Sequence, residues 1–167
     1  VHRANITDRN GIVVATNLPT VNLFALPHEV SNAKIVATKL AEIFPDTGYD
    51  DFYAKLTKKA KFVPLKRNLS PAQQVKVNAL GFPELGFENS EVRVYPQKEL
   101  LSHVLGNTDI DSNGISGLEK SLDTRLSAST RDLRLTIDLG VQYMVREELV
   151  KAKEKFKAER ATAIVMD

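Results

Sequence analysis

Apolar positions along the chain switch between a two-residue and a 3.6-residue period, and the switches mark out short elements. Residues 3–16 read as a β-hairpin. Asn10-Gly11 suits a type I′ turn, which needs positive φ at both central residues, and Ile12, Val13 and Val14 follow as β-branched strand formers. Pro19 and Pro27 bracket an extended apolar stretch, Val21 to Leu26. Val36, Leu40, Ile43 and Phe44 then share a helix face, with Ser31 as the expected N-cap and Pro45 as the stop. Phe52, Leu56 and Ala60 recur every four residues and predict a second helix over 51–60. Phe62-Val63-Pro64-Leu65 is extended, and its proline suits an edge strand.

Ser70-Pro71-Ala72-Gln73 is a helix start: serine caps, proline takes the first helical position and Gln73 closes a capping box. That helix is expected to end near Gly81, with a loop over 82–90 and a strand from Glu91 to Tyr95. Leu100, Leu101, Val104 and Leu105 form the apolar face of a short helix stopped by Gly106. A turn-rich loop, 109–114, leads to Ser116 and Glu119, spaced as another capping box, and Leu118, Leu122 and Leu126 line the helix behind it. Leu133, Leu135 and Ile137 alternate with polar residues, as in a half-buried strand. Asp138 caps the longest helix, reaching about Arg160, with Val141, Val145, Leu149, Ala152 and Phe156 as its stripe and Glu147–Lys151 as an i,i+4 pair. Ala161 to Met166 reads as a last strand. The order of elements predicts an α+β fold. Two lobes are expected: a discontinuous one, 1–20 with 91–167, built from the hairpin, strands and long helix, and an inserted, more helical one, 21–90.

Composition narrows the function classes. The 167 residues suffice for a buried core, and 43% hydrophobic with 26% charged residues is ordinary for a globular protein. A net charge of +2, with no basic run interleaved with aromatics, gives no support to nucleic-acid binding. The absence of cysteine removes disulfides, thiolate metal sites and cysteine catalysis. No stretch approaches the roughly 20 apolar residues of a membrane span. The first residue is Val, which leaves room for an upstream anchor.

Candidate chemistry is sparse. Asp109, Asp111, Asn113 and Gly114 fit positions one, three, five and six of an EF-hand loop, but position twelve is Lys120, so the segment reads as a polar turn. Ser31-Asn32-Ala33-Lys34 matches S-x-x-K, yet no S-x-N, S-D-N or K-T-G motif accompanies it, so helix capping is the reading of Ser31. His103 stands alone, unrelated in spacing to His2 or His28, and reads as structural. No phosphate-binding loop, nucleophile elbow or zincin motif occurs. No catalytic, cofactor or metal residue is assigned, and no cofactor is expected. Arg3, Asp8, Arg9, Arg93, Glu119 and Asp138 sit beside strands and caps, and are expected to form a buried ion-pair cluster where the hairpin, the Tyr95 strand and the helix after Ser116 meet.

Four spaced signatures carry a family resemblance. They are Arg3-Ala4-Asn5-Ile6-Thr7-Asp8-Arg9-Asn10-Gly11; Arg93-Val94-Tyr95-Pro96 leading to His103 and Gly106; Gly114-Ile115-Ser116-Gly117-Leu118-Glu119; and Leu133-Arg134-Leu135-Thr136-Ile137-Asp138 with Gln142. In this order the set resembles the N-terminal, non-catalytic module of class B penicillin-binding proteins, the peptidoglycan transpeptidases. Ala4 stands where that family usually has glycine. Phe62 to Arg67 followed by Leu69-Ser70-Pro71 is similar to the division-specific branch.

The resemblance implies a scaffold outside the cytoplasmic membrane, on its periplasmic face. It would link a single transmembrane anchor to a downstream transpeptidase domain, into whose S-x-x-K and K-T-G motifs the reading frame is expected to continue. Implied partners are that domain, a SEDS-type glycan polymerase and divisome proteins. A homodimer through the terminal strands is also expected, from the unpaired edge of residues 161–166. By the same resemblance Arg3, Asp8, Arg9, Gly11, Arg93, Tyr95, Pro96, His103, Gly106, Gly117, Glu119 and Asp138 are structural or interface positions. The residues also leave open an independent extracytoplasmic protein-binding module, and a stand-alone hydrolase for which no paired-carboxylate or triad spacing speaks.

Overall fold

A computed structural model describes residues 3–166, apart from the Lys98 side chain. The chain divides into two compact units. One runs to Asn17 and resumes at Arg93; the other is Leu18–Val92. Each mixes helix with strand, so the fold class is α+β.

In the first unit β1 (Ile6–Thr7) pairs antiparallel with β2 (Val13–Ala25), Ile6 opposite Ala15, and parallel with β5 (Leu133–Arg134). The hairpin forms, but its turn is not type I′. Gly11 has φ of 86°, whereas Asn10 is not among the positive-φ residues. Asp8 decides this: its Oδ1 accepts from the N–H groups of Asn10 and Ile12, and its carbonyl accepts from Gly11. A carboxylate two residues before Asn10 thus holds Arg9 and Asn10 at the centre of a turn closed from Asp8 to Gly11, one residue longer than a type I′ loop, leaving only glycine left-handed.

The backbone beyond β5 continues beside β1 through Leu135 N–H to the Thr7 carbonyl and Arg9 N–H to the Ile137 carbonyl. A 3₁₀ turn (Lys98–Leu101) leads into α4 (Ser102–Leu105), closed by Gly106 at φ 70°. The expected single helix behind Ser116 is two short ones, α5 (Gly117–Ser121) and α6 (Asp123–Ala128). Ile6, Val14, Leu101, Leu105, Leu126 and Leu139 form the core they share.

The last helix, α7 (Leu139–Phe156), starts at Asp138, whose side chain accepts from Gly140 and Val141 N–H. It stops at Lys157 in the left-handed region, short of Arg160. Its predicted stripe is only half-buried at Val141, Val145, Leu149 and Ala152, and Phe156 is 71% exposed. Lys151 pairs with Glu148, not with Glu147. Residues 161–166, expected as a strand, have no strand structure; a strand exists only when another strand takes its hydrogen bonds.

In the second unit β2 continues and pairs antiparallel with β3 (Val63–Leu69), Phe24 opposite Pro64; β4 (Leu85–Val94) also pairs with β2. Helices α1 (Ala33–Ile43), α2 (Tyr49–Leu56) and α3 (Pro71–Asn78) accompany them. The core gathers Leu23, Val36, Leu40, Phe44, Phe52 and Leu69. Asn32, not Ser31, caps α1, its side chain accepting from Ile35 N–H. The Ser70–Gln73 capping box forms with both reciprocal bonds.

The expected 82–90 loop is largely strand. Gly86, read as a loop glycine, lies where a Cβ would stand 2.3 Å from the Phe24 ring, so it marks close approach between strands. With β2 to β4 running through it, this unit holds nearly as much strand as helix.

Candidate functional site

Glu119 is the centre of the first unit. It has no exposed surface, although it lies on a helix of five residues. Its Oε2 accepts from Arg3 Nε at 2.6 Å and its Oε1 from Arg93 Nε at 2.9 Å. Tyr95 donates its hydroxyl to the same Oε1 at 3.4 Å. Ser116 and Glu119 therefore do not make a capping box: the Ser116 side chain makes no cap bond and pairs with Asn107. The carboxylate that would have closed the box is taken by two guanidinium groups, a stronger partner than one backbone N–H.

Arg3 is equally buried, and each nitrogen of its guanidinium donates. Nη1 donates to Asp123 at 2.7 Å, to Ser127 Oγ at 3.0 Å and to the Ser112 carbonyl at 3.2 Å; Nη2 donates to the Glu119 carbonyl at 2.7 Å. Burial weighs against its charge, but hydrogen bonds to Asp123 and Glu119 outweigh it and hold the proton more tightly than in a free arginine. Asp123 is held below the usual carboxylate range, first by the Gly114 N–H and then by Arg3.

Arg93 Nη1 donates to Asn17 Oδ1 at 3.0 Å, and Asn17 returns a bond to the Arg3 carbonyl at 2.9 Å. Arg93 Nη2 is buried with no hydrogen-bond partner among the described residues. Burial, then the Glu119 charge, pushes the Tyr95 hydroxyl above its ordinary range. Two arginines against Glu119 and the partly exposed Asp123 leave the cluster near electroneutrality, as burial demands.

Asp8, Arg9 and Asp138 lie elsewhere, so the six expected charges form two groups, not one. Asp8 is buried and accepts from the N–H of Leu139, the first residue of α7. Burial opposes its ionisation, but the N–H groups of Ile12, Leu139 and Asn10 more than offset this and lower its pKa. Asn10 donates to both Asp8 and Asp138, which ties the hairpin turn to the start of α7. The Asn10 bond is also the first cause holding Asp138 below its ordinary range. Arg9 is exposed; its backbone carries the contacts, its carbonyl accepting from Arg134.

The remaining motif positions shape backbone. A Cβ on Gly106 would stand 2.1 Å from the Ser116 carbonyl oxygen, and one on Gly117 2.6 Å from Gly106 N. These two glycines let α4 and the start of α5 touch backbone to backbone. Pro96 follows Tyr95 into the turn before the 3₁₀ segment, and His103 is exposed on α4. Asn17, Asp123 and Ser127 join the cluster without having been singled out from the sequence. Asp123 alone carried a signal: it follows Glu119 by four residues, one helical turn.

Among the described residues no group of three or more His, Cys, Asp or Glu is arranged to hold a metal ion, and no helix is long and apolar enough to cross a membrane. The arrangement clamps distant segments: Arg3, Asn17, Arg93 and Glu119 lie up to 116 residues apart along the chain. The same segments match the family described as Penicillin-binding Protein dimerisation domain over residues 1–153. The chain belongs to that family.

Peptidoglycan D,D-transpeptidases are among its relatives. It is 34% identical to the probable peptidoglycan D,D-transpeptidase PenA of Neisseria meningitidis, across 99% of this chain and 34% of that protein. It is 28% identical to the peptidoglycan D,D-transpeptidase FtsI of Escherichia coli K12, across 99% and 33%. The chain thus spans about a third of the length of the curated relatives it matches. In fold it is similar to a chain in the complex between Penicillin-Binding Protein (PBP2) and MreC from Helicobacter pylori, with TM-score 0.68 and 20% identity, over 90% of this chain and 37% of that one.

Proposed function

We propose that this chain is a non-catalytic scaffold of a cell-wall D,D-transpeptidase, holding a downstream penicillin-binding domain away from the membrane and contacting partners of cell division. In this reading the lobe of residues 1–20 and 91–167 is the pedestal and the lobe 21–90 is the head. Arg3, Asp8, Arg9, Gly11, Arg93, Tyr95, Pro96, His103, Gly106, Gly117, Glu119 and Asp138 serve its rigidity or its interfaces. The observation that carries it is the Arg3–Glu119–Arg93 bridge. It spends the charges of Arg3, Glu119 and Arg93 on joining segments distant in the chain. A spacer needs such a clamp, since a desolvated charge network favours one geometry over alternatives.

The D,D-transpeptidase relatives support the identity of the proposed downstream domain, and the Helicobacter pylori complex supports protein partners for the fold. A SEDS-type polymerase, divisome proteins, a homodimer through the terminal segments and a periplasmic location belong to the same proposal. Incubation with a fluorescent penicillin tests it: the chain stays unlabelled, while the parent carrying S-x-x-K and K-T-G is labelled. Covalent labelling of the chain itself overturns the scaffold reading.

A further inference from the structure

The second unit carries a charge asymmetry that the clamp does not use. Residues 52–83 contain seven Lys and Arg and no Asp or Glu, so the rest of the chain holds sixteen cations against twenty-one carboxylates. Part of this basic stretch borders a groove of about 690 Å³ between the 27–33 segment and the end of α2. The wall of the groove is apolar at Pro27, Val30, Ala33, Leu56 and Ala60. Val30, Ala33 and Ala60 pack on the core beneath and Leu56 belongs to it, so the wall is a fixed surface.

Lys58, Lys59 and Lys61 line the same groove, all exposed, and no carboxylate is among its lining residues. Lys39, Lys55 and Lys66 of this unit lie against Glu42, Asp51 and Asp46 respectively. None of Lys58, Lys59 and Lys61 has an ion pair among the described residues.

Three unneutralised ammonium groups within four residues repel one another, and a counter-charge arriving from outside relieves this. A bare polyanion would satisfy the lysines but leave the apolar wall wet. A segment with apolar side chains set among carboxylates satisfies both.

We propose that this groove is a docking site for an acidic, partly apolar peptide segment of a partner protein. The proposal rests on the scaffold reading and names the chemistry of one partner contact. Short random peptides panned against the chain supply the probe, and anisotropy of the labelled winners measures their binding. The enriched peptides are expected to combine Asp or Glu with apolar residues and to weaken steeply with added salt.

The variant Lys58→Glu/Lys59→Glu/Lys61→Glu is expected to bind about tenfold more weakly or worse, whereas Lys76→Glu, on α3, binds as the native chain does. On the native chain, backbone amide resonances of Val30, Ala33 and Ala60 shift on titration, a readout that needs no variant to fold. The proposal is overturned if panning yields no binder or only binders lacking carboxylates, if the triple variant binds undiminished, or if those resonances stay still. Equal binding of poly-L-glutamate or of phosphatidylglycerol vesicles overturns it too, since either needs charge alone. None of these failures touches the scaffold reading, which the penicillin labelling decides.

Discussion

Removing the Glu119 carboxylate is the sharpest test of the clamp. Glu119→Gln keeps the side-chain volume but withdraws the charge from between two buried guanidinium groups. Of the two oxygens now accepting from Arg3 and Arg93, one becomes an NH2 that faces a donor. Arg3 keeps Asp123, 39% exposed, and three neutral acceptors; Arg93 keeps Asn17 and the distant Arg3 carbonyl. Neither arginine can move to water without opening the unit. Breaking a buried pair by deleting one partner costs about 3–5 kcal/mol.

Set against a total stability of about 5–15 kcal/mol, that is a large share. For the unit that holds the cluster, of fewer than 100 residues, it corresponds to a fall in that unit's melting temperature of roughly 12–40 °C. Scanning calorimetry is the suitable assay, because the two units can melt separately and the loss should fall on the transition of the unit containing the cluster. Arg93→Ala should cost less, about 1–3 kcal/mol, since Glu119 stays paired with Arg3 and Arg93 Nη2 has no partner to lose. A Glu119→Gln midpoint within about 2 °C of the native chain, or a larger loss for Arg93→Ala than for Glu119→Gln, would refute the reasoning.

Gly106→Ala should destabilise the same unit by about 2–4 kcal/mol, because its φ of 70° and a Cβ 2.1 Å from the Ser116 carbonyl both resist a side chain; chemical denaturation reads the loss, and a native-like midpoint contradicts the close approach. Ser70→Ala should cost the second unit about 1 kcal/mol through its capping box and leave the first unit's transition unmoved in calorimetry. Asp8, Asp123 and Asp138 are held below their ordinary pKa, so their contribution is complete above the unfolded-state value of about 3.9 and is lost as pH falls through the folded values. Melting temperature should therefore be flat near neutrality and drop on acidification below about pH 4, and Asp8→Asn should flatten that drop; an acid limb identical in the variant would count against the N–H cradle.

Local chemistry was legible where a few adjacent residues settle the outcome. The Ser70–Gln73 box, the Asp138 cap and the Gly106 stop each depend on contacts within a handful of positions, and each formed. Three local readings failed because another group took the site. Asn10-Gly11 reads as a type I′ turn until the Asp8 carboxylate takes two N–H groups of that turn. Gly86 reads as loop until Phe24 arrives from another strand. Ser116-x-x-Glu119 reads as a capping box until Arg3 and Arg93 claim the glutamate. For Gly86 and Glu119 a partner distant in the chain outbid the local one, whereas at Asn10 the competitor was another local group, Asp8, only two and four residues from the N–H groups it holds.

The sequence by itself determined most of the elements, the α+β class and, through four spaced signatures, the family, because periodicity, caps and motif spacing are properties of neighbouring residues. Only the tertiary structure decided which charges meet. Burying Arg3 and Arg93 requires a desolvated counter-charge, and residues 90 and 116 positions apart are brought to one point by packing, not by spacing. The division of five of the six motif charges into a Glu119 clamp and an Asp8–Asn10–Asp138 tie, with the Arg9 side chain left exposed, is therefore a product of the fold.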